Sequence, residues 1–180
     1  MNYEIYEHRY ADIILNSDYE LKKEIFDVIQ SIDTTEVERR FNTENTSRNK
    51  TGKKLLKGKQ STINSICVEE FKKRGWETEK NIFNDPKNDL AIDYWKRNVG
   101  VDIAFNHRSF IGGDLLRFQA AAEVKNVIKL GVYACPVKEF TKWVSPNDAS
   151  SMVTYERVKW YLENFYAVIT VPILLLGIKA

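Results

Sequence analysis

The chain has 180 residues, of which 43% are hydrophobic, so it can bury a full core and we expect a single domain over residues 1–180. Its formal net charge of +2 favours no particular partner. The N-terminus lacks the apolar stretch of a signal peptide, and the longest apolar run, residues 167–178, is short and interrupted by a proline, which argues against a membrane span. Cys67 and Cys135 lie in apolar surroundings, as is typical of reduced thiols in a cytoplasmic protein.

Helical periodicity in the N-terminal half predicts two helices. Apolar residues at helical spacing indicate a first helix from about residue 10 to residue 32, with a break near residues 16–18. A second helix is predicted over residues 62–74, with Gly75 placed to end it.

The sequence between these helices is strongly basic. Residues 48–59 contain no acid, and they include Lys53, Lys54 and Lys57. We interpret about residues 42–60 as an arm or loop whose lysines could follow a phosphate backbone. A solvated, flexible linker is the alternative interpretation.

Two acids in the middle of the chain, Asp93 and Asp102, are the strongest candidates for chemistry. Apolar residues alternate with polar or small ones over residues 99–106, which predicts a strand with Asp102 on its polar or open face. Residues 96–98 have the composition of a tight turn, so a hairpin would bring the two acids together. Such a pair repels unless a cation lies between the carboxylates, and hard oxygen ligands suit magnesium. The alternative is that both acids are ordinary solvent-facing positions of an antiparallel sheet.

The C-terminal half alternates helices and strands. We predict a helix over residues 115–129, a strand over 130–136, a loop over 145–151, a helix over 154–165 and a final strand over 168–178. Helices around a small mixed sheet give an α/β domain.

A second acidic pattern further along the chain places Asp114 ahead of an acid-x-lysine triplet, Glu123 to Lys125. A site there would need Glu123 and Lys125 on one face of a strand, but the surrounding sequence is the most helical in the chain. Residues two apart in a helix point about 200° away from each other. We therefore interpret Glu123 and Lys125 as solvated helix positions.

The predicted hairpin resembles the catalytic hairpin of a known enzyme family. Residues 92–94 and 102–105, followed by Ser109 and Phe110, are similar to the catalytic hairpin of the BglII/BstYI-like type II restriction endonucleases, within the PD-(D/E)xK nuclease class. Further similar segments follow in the same order over nearly the whole chain: residues 8–16, 64–76, 131–136, 155–156 and 172–178. The resemblance implies a mixed central β-sheet flanked by helices, the restriction-endonuclease-like fold.

The resemblance also implies an activity and its residues. It implies a homodimer that cleaves double-stranded DNA at a short palindrome, with Mg²⁺ as cofactor and 5′-phosphate ends as products. Asp93 and Asp102 match the two metal-binding acids, and the backbone carbonyl of Ile103 matches a third protein ligand. Asn64 matches a polar residue on the helix that lines the catalytic site.

Two positions of the hairpin depart from the family pattern. Relatives carry glutamate where Asp102 stands, and this shorter acid can still bind magnesium. Relatives carry lysine or glutamine where Ala104 stands, and alanine can neither orient a water nor neutralise a phosphate. Asn106 or His107 could supply the missing group, the neighbouring DNA phosphate could activate the water, or the protein could be a catalytically impaired DNA-binding protein of the same fold.

Sequence readout is expected from two segments that the family fold brings to the major groove. The candidate base-contacting residues are Asn106, His107 and Arg108 after the catalytic strand, and Asp148, Ser150 and Ser151 in the second loop. The aromatic-rich helix at residues 160–166 is expected to belong to the core, with the dimer interface as the alternative.

Overall fold

One mixed sheet organises the chain. A computed structural model describes residues 1–83, 85 and 90–179, and the strands of this part are β1 (Asn2–His8), β2 (Glu77–Asn81), β3 (Ala91–Lys96), β4 (Val99–Ile103), β5 (Leu130–Pro136) and β6 (Ile173–Lys179). Their order across the sheet is β1-β6-β5-β4-β3-β2. The three central strands, β4, β5 and β6, run parallel, whereas the outer neighbours pair antiparallel. The predicted mixed α/β architecture is therefore confirmed.

Helices flank this sheet. They are α1 (Ala11–Asn16), α2 (Tyr19–Ser31), α3 (Thr34–Lys50), α4 (Gln60–Lys73), α5 (Ile111–Gln119), α6 (Thr141–Val144) and α7 (Tyr155–Asn164). None of the helices in the described ranges has the length and apolar character that a membrane crossing requires. Cys67 and Cys135 are both buried free thiols, as predicted.

The predicted break in the first helix is confirmed. Helix α1 ends at Asn16, and α2 begins after Asp18, whose side chain caps it by accepting a hydrogen bond of 3.2 Å from the backbone N–H of Leu21. An aspartate at this position satisfies one of the free N–H groups of the first helical turn. Helix α4 likewise matches its predicted range, except that it begins at Gln60.

The segment at residues 42–60 is partly helical, which corrects the prediction of an arm or loop. Residues 42–50 form the second half of α3, and residues 51–59 connect α3 to α4. The side chain of Asn45 bonds both backbone polar groups of Leu56, accepting from its N–H at 2.8 Å and donating to its carbonyl at 3.3 Å. The connection therefore folds back along the helix.

The central strands explain why the predicted open face of β4 is wrong. Every residue of β4 and of β5 is buried, including Asp102, which is 1% exposed. Parallel strands in the middle of a sheet are covered on both faces, so side chains on either face are excluded from solvent. The alternation along β4 therefore separates two faces that are both covered, and it does not mark one of them as open to solvent.

The turn of the hairpin is the tight connection that residues 96–98 predict. Strands β3 and β4 pair with Tyr94 opposite Val101 and Lys96 opposite Val99. Arg97 and Asn98 both have positive φ, at 47° and 63°. This is the backbone pattern of two-residue hairpins whose twist matches the strands.

Helix α5 differs from its prediction at both ends. It begins at Ile111 and continues through a π-helical turn, Ala120–Val124, so regular structure ends before residue 129. The helix lies close to β5, because a Cβ added to Gly131 would come within 2.8 Å of the Phe118 ring. A glycine at residue 131 allows this close approach.

Candidate active site

The two predicted acids face each other where the hairpin ladder ends. Backbone pairing stops at Tyr94 and Val101, and the next opposed positions are Asp93 and Asp102. The backbone N–H of Asp93 donates to Asp102 Oδ1 at 2.9 Å, and the N–H of Ile103 donates to Asp93 Oδ2 at 3.2 Å. These two backbone bonds fix both carboxylates on the same side of the hairpin.

Burial makes this acid pair costly to ionise. Burial first, and then the nearby charge of Asp93, raise the pKa of Asp102 to about 7. Burial also raises the pKa of Asp93, which the backbone N–H of Ile103 and the positive charge of Arg117 oppose. A pair of this kind becomes favourable at neutral pH only when a cation accompanies it.

A buried ion-pair cluster supplies one such cation, and the sequence alone did not indicate it. Arg117 Nη2 lies 2.5 Å from Asp102 Oδ2 and 3.1 Å from Asp114 Oδ1. Asp114 is 5% exposed, and its Oδ2 accepts a 2.8 Å hydrogen bond from the Tyr133 hydroxyl. The cluster joins α5 and β5 to the β3–β4 hairpin.

These residues surround a cleft of about 360 Å³. Its lining contains Gln60 and Asn64 from α4, Asp93, Asp102, Ile103 and Ala104 from the hairpin and its extension, Phe105, Asn106, and Asp114 and Arg117 from α5. Asn64 is exposed, and Ala104 is 6% exposed. All four positions that the sequence assigned to the catalytic site therefore line the same cleft. Gln60, Asp114 and Arg117 are additional lining residues that sequence reasoning missed.

The acid pair fits a hard divalent cation. Carboxylate oxygens have lone pairs beyond those used by the two N–H bonds, and magnesium commonly uses one or two carboxylates and retains water at its other positions. In the described residues, no group of three or more His, Cys, Asp or Glu side chains is arranged to hold a metal. A site here would accordingly depend on Asp93, Asp102 and a backbone carbonyl.

The two predicted base-reading segments lie side by side. His107 forms an antiparallel bridge with Met152, and the N–H of Val153 donates to the Asn106 carbonyl at 3.0 Å. Arg108 also reaches the carbonyl of Ser150, at 3.5 Å. The candidates Asn106, His107, Arg108, Asp148 and Ser150 are exposed, and Ser151 is partly buried. One continuous edge thus carries both segments.

The basic connection reaches the second of these segments. The N–H of Lys59 donates to the Val144 carbonyl at 2.7 Å, and its Nζ donates to the Trp143 carbonyl at 2.7 Å. The preceding lysines, Lys53, Lys54 and Lys57, are exposed. Because α4 begins immediately afterwards with Gln60, the connection leads directly into the wall of the cleft.

The second acidic pattern is divided by the structure. Glu123 and Lys125 are exposed at the π-helical turn that follows α5, as predicted for solvated helix positions. Asp114, which belongs to the same pattern, is buried in the ion-pair cluster. The pattern therefore contains one residue of the cleft without forming a second site.

The aromatic helix is only partly in the core. Leu162 is fully buried, but Trp160 is 54%, Phe165 44% and Tyr166 48% exposed. The expectation that this run is core is therefore wrong for these three rings. They form an exposed aromatic surface at the end of α7.

Comparison with known proteins places this architecture in a family. The sequence matches the family described as restriction endonuclease BglII/BglIII over residues 3–178. Among solved structures, the crystal structure of restriction endonuclease BglII complexed with a DNA 16-mer has the same fold, with a TM-score of 0.72 and 18% sequence identity. That match covers 100% of this chain and 79% of the other. No curated protein sequence matches this chain. The match over nearly all of the sequence shows that the chain belongs to the BglII/BglIII family of type II restriction endonucleases, which cleave DNA at specific sites.

Proposed function

We propose that Asp93 and Asp102 form the catalytic centre of this endonuclease, with the carbonyl of Ile103 as a third ligand for Mg²⁺. The observation that carries the proposal is that backbone N–H groups of Asp93 and Ile103 orient the two carboxylates at the end of the hairpin ladder, beside a cleft that Asn64 also lines. When bound there, magnesium would polarise the scissile phosphate and acidify its water. No side chain is required as a covalent nucleophile.

The protein's own residues would position the substrate around that ion. Asp93 and Asp102 would hold it through carboxylates that the hairpin backbone already orients. Asn64, exposed where α4 lines the cleft, would donate to a water or to a phosphate oxygen. Ile103 would contribute only its backbone.

The absence of a polar side chain at Ala104 narrows the possible substitutes. The sequence offers Asn106 and His107 as residues that could supply the missing polar group, and of these Asn106 lines the cleft. His107 instead lines a neighbouring hollow with Arg108 and bonds the Ser109 hydroxyl at 2.8 Å. Asn106 already donates a long hydrogen bond, of 3.4 Å, to Asp114. These positions favour Asn106 over His107 as the polar residue closest to the proposed catalytic acids.

We propose that the exposed edge of Asn106, His107 and Arg108, together with Asp148, Ser150 and Ser151, reads the bases of duplex DNA. Asparagine and arginine are suited to the major-groove edges of adenine and guanine. Lys53, Lys54 and Lys57 would contact phosphates beside this edge, because their connection is tied to Trp143 and Val144 just before the second segment.

We propose that the protein is a homodimer of single-domain subunits in the cytoplasm. Its two-fold symmetry would match a palindromic site, with each subunit cutting one strand. The exposed aromatic surface at the end of α7 supports a subunit interface, since aromatic residues are enriched where proteins associate. Light scattering coupled to gel filtration would test this, and a monomer both free and on DNA would contradict it.

Cleavage of plasmid DNA tests the proposed catalytic centre. Incubating a mixed-sequence plasmid with the protein and Mg²⁺ or Mn²⁺ should give discrete fragments with 5′-phosphate ends, and sequencing those ends gives the recognition site. Asp93→Asn, which preserves size and removes the charge, should abolish the fragments. Glu123→Gln is the matched control, because this acid is exposed and does not line the cleft.

The same assay separates the second candidate function, a DNA-binding protein impaired in catalysis through Ala104. That function predicts a retarded band on a gel without cleavage under either metal. Full activity of Asp93→Asn would contradict the assignment of the hairpin acids.

A further inference from the structure

We propose that Arg117 is a catalytic residue that contacts the scissile phosphate and supplies the positive charge that Ala104 lacks. The inference rests on the proposed assignment of Asp93 and Asp102 as the catalytic acids. It concerns a residue on a different element from the hairpin, so the spacing of the hairpin motif gives no indication of it.

The first argument for this role is the charge of the residues that line the cleft. Of the described residues that line the cleft, three are acids and only Arg117 is basic. A phosphate that enters between three carboxylates meets strong repulsion unless positive charge accompanies it. Magnesium would offset part of this repulsion, and Arg117 is the protein group available to offset more.

The second argument is the position of the Arg117 guanidinium. Arg117 Nη2 lies 2.5 Å from Asp102 Oδ2, so the cation is adjacent to a proposed metal ligand. Ala104 follows Asp102 by two residues and lines the same cleft. A side chain from α5 therefore brings its charge to the region where relatives place a side chain from the strand.

Asp114 fixes this cation in place. It lies one helical turn before Arg117, contacts Nη2 at 3.1 Å, and is itself anchored by the Tyr133 hydroxyl at 2.8 Å. A buried carboxylate is costly unless it is paired and hydrogen-bonded, and both conditions are met here. Asp114 thus acts as a positioning residue that holds the guanidinium at the cleft.

Arg117 also retains capacity to donate. Its Nε is buried and has no hydrogen-bond partner, while its side chain as a whole is 20% exposed. The guanidinium has five N–H donors in a fixed plane, which match two oxygens of a phosphate. Arginine stays protonated throughout the working pH range, so the group would bind the phosphate and stabilise its developing charge without transferring a proton.

A metal-free binding measurement tests this interaction directly. The probe is a duplex containing the site found by end sequencing, with the scissile phosphate either natural or replaced by an uncharged methylphosphonate, measured by fluorescence anisotropy in EDTA. For the wild type, neutralising this phosphate should weaken binding roughly tenfold, as expected when a charge-assisted hydrogen bond is removed. For Arg117→Gln, the same replacement should change affinity less than twofold.

Two further variants keep the outcome interpretable. In Arg117→Lys, neutralising the scissile phosphate should still weaken binding more than threefold, because the variant keeps the charge. If Arg117→Gln fails to fold, Arg117→Lys takes its place in the comparison with wild type. Arg97→Gln, in the turn at the other end of the hairpin, should show the full wild-type penalty. An equal penalty in wild type and Arg117→Gln, with the catalytic role of Asp93 confirmed, would overturn this inference alone. Cleavage by Asp93→Asn would overturn the assignment on which it rests, and the inference with it.

Discussion

Asp102, the proposed metal ligand, is a buried acid whose ionisation costs the metal-free protein stability. It is 1% exposed and directly opposite another acid, and burial raises its pKa to about 7. The unfolded chain releases this proton near pH 4. Between about pH 4 and 7 the folded protein binds the proton more tightly, so this group's contribution to stability is present at low pH and is lost as pH rises through about 7.

Replacing Asp102 by the neutral isostere asparagine should therefore stabilise the metal-free protein. At pH 8 in EDTA, we expect Asp102→Asn to raise the free energy of unfolding by on the order of 1 to 3 kcal/mol, with the gain shrinking towards pH 5. Arg117 keeps Asp114 as a partner in the variant, so its charge remains paired. Urea unfolding followed by circular dichroism measures the difference, and Asp27→Asn, at a partly exposed acid of α2, is the control. A variant that is less stable than wild type at pH 8 would contradict this account.

Arg117 and Asp114 could not have been assigned from sequence for a physical reason. Their spacing of three indicates a helical ion pair, which is usually solvated and weak. What distinguishes them is contact with Asp102, which lies on a strand, and no local pattern reports that contact. By contrast, Asp93 and Asp102 are joined by a short turn, so local patterning was sufficient to bring them together.

At the level of elements, those with an apolar stripe or a continuous apolar run could be predicted from the sequence. Strand β5 and helices α4 and α7 match their predicted ranges closely. Helix α3 was missed because Val37 is its only buried residue, so it has no apolar stripe, and ion pairs of Glu36 with Arg39 and Arg40 support it instead. The edge strands β1 and β2 were missed because most of their residues are polar and exposed or half-buried.

The close packing of α5 on β5 makes a testable link between an element and the site. A Cβ at Gly131 would meet the Phe118 ring at 2.8 Å, and Phe118 adjoins Arg117 on the same helix. Gly131→Ala should lower the free energy of unfolding by about 1 to 3 kcal/mol through overpacking, and should slow cleavage by displacing Arg117.

Gly112→Ala provides the matched control for this prediction. It lies in the same helix, and a Cβ there meets nothing within 4 Å. Higher helix propensity should leave it as stable as wild type or up to about 1 kcal/mol more stable, with normal cleavage. Equal stability of the two variants in thermal or urea unfolding would contradict the proposed packing constraint.

At the scale of the whole molecule the net charge is only +2. Attraction to DNA phosphates must therefore come from local clusters of positive charge. The exposed Lys53, Lys54 and Lys57 precede the cleft wall, and Lys59, at the end of the same connection, bonds the Trp143 carbonyl ahead of Asp148. Their triple replacement by alanine should reduce the slope of log affinity against log salt concentration by about one for each phosphate that is no longer neutralised. Anisotropy titrations over a range of salt concentrations measure this slope.

A control with the same change in charge separates local binding from general attraction. Lys23, Lys72 and Lys179 are lysines on other elements, and their joint replacement removes an equal charge. It should leave the slope nearly unchanged. Equal reductions in both triple variants would show that the basic connection binds no phosphate specifically.

The central claim is that the opposed carboxylates of the hairpin hold the divalent metal. Anomalous diffraction at the manganese edge, from crystals of the protein with duplex DNA containing its site and Mn²⁺, tests it most directly. We expect a peak about 2.1 Å from a carboxylate oxygen of both Asp93 and Asp102. Manganese bound only elsewhere, with the two acids still joined to Arg117 and the backbone alone, would contradict the claim.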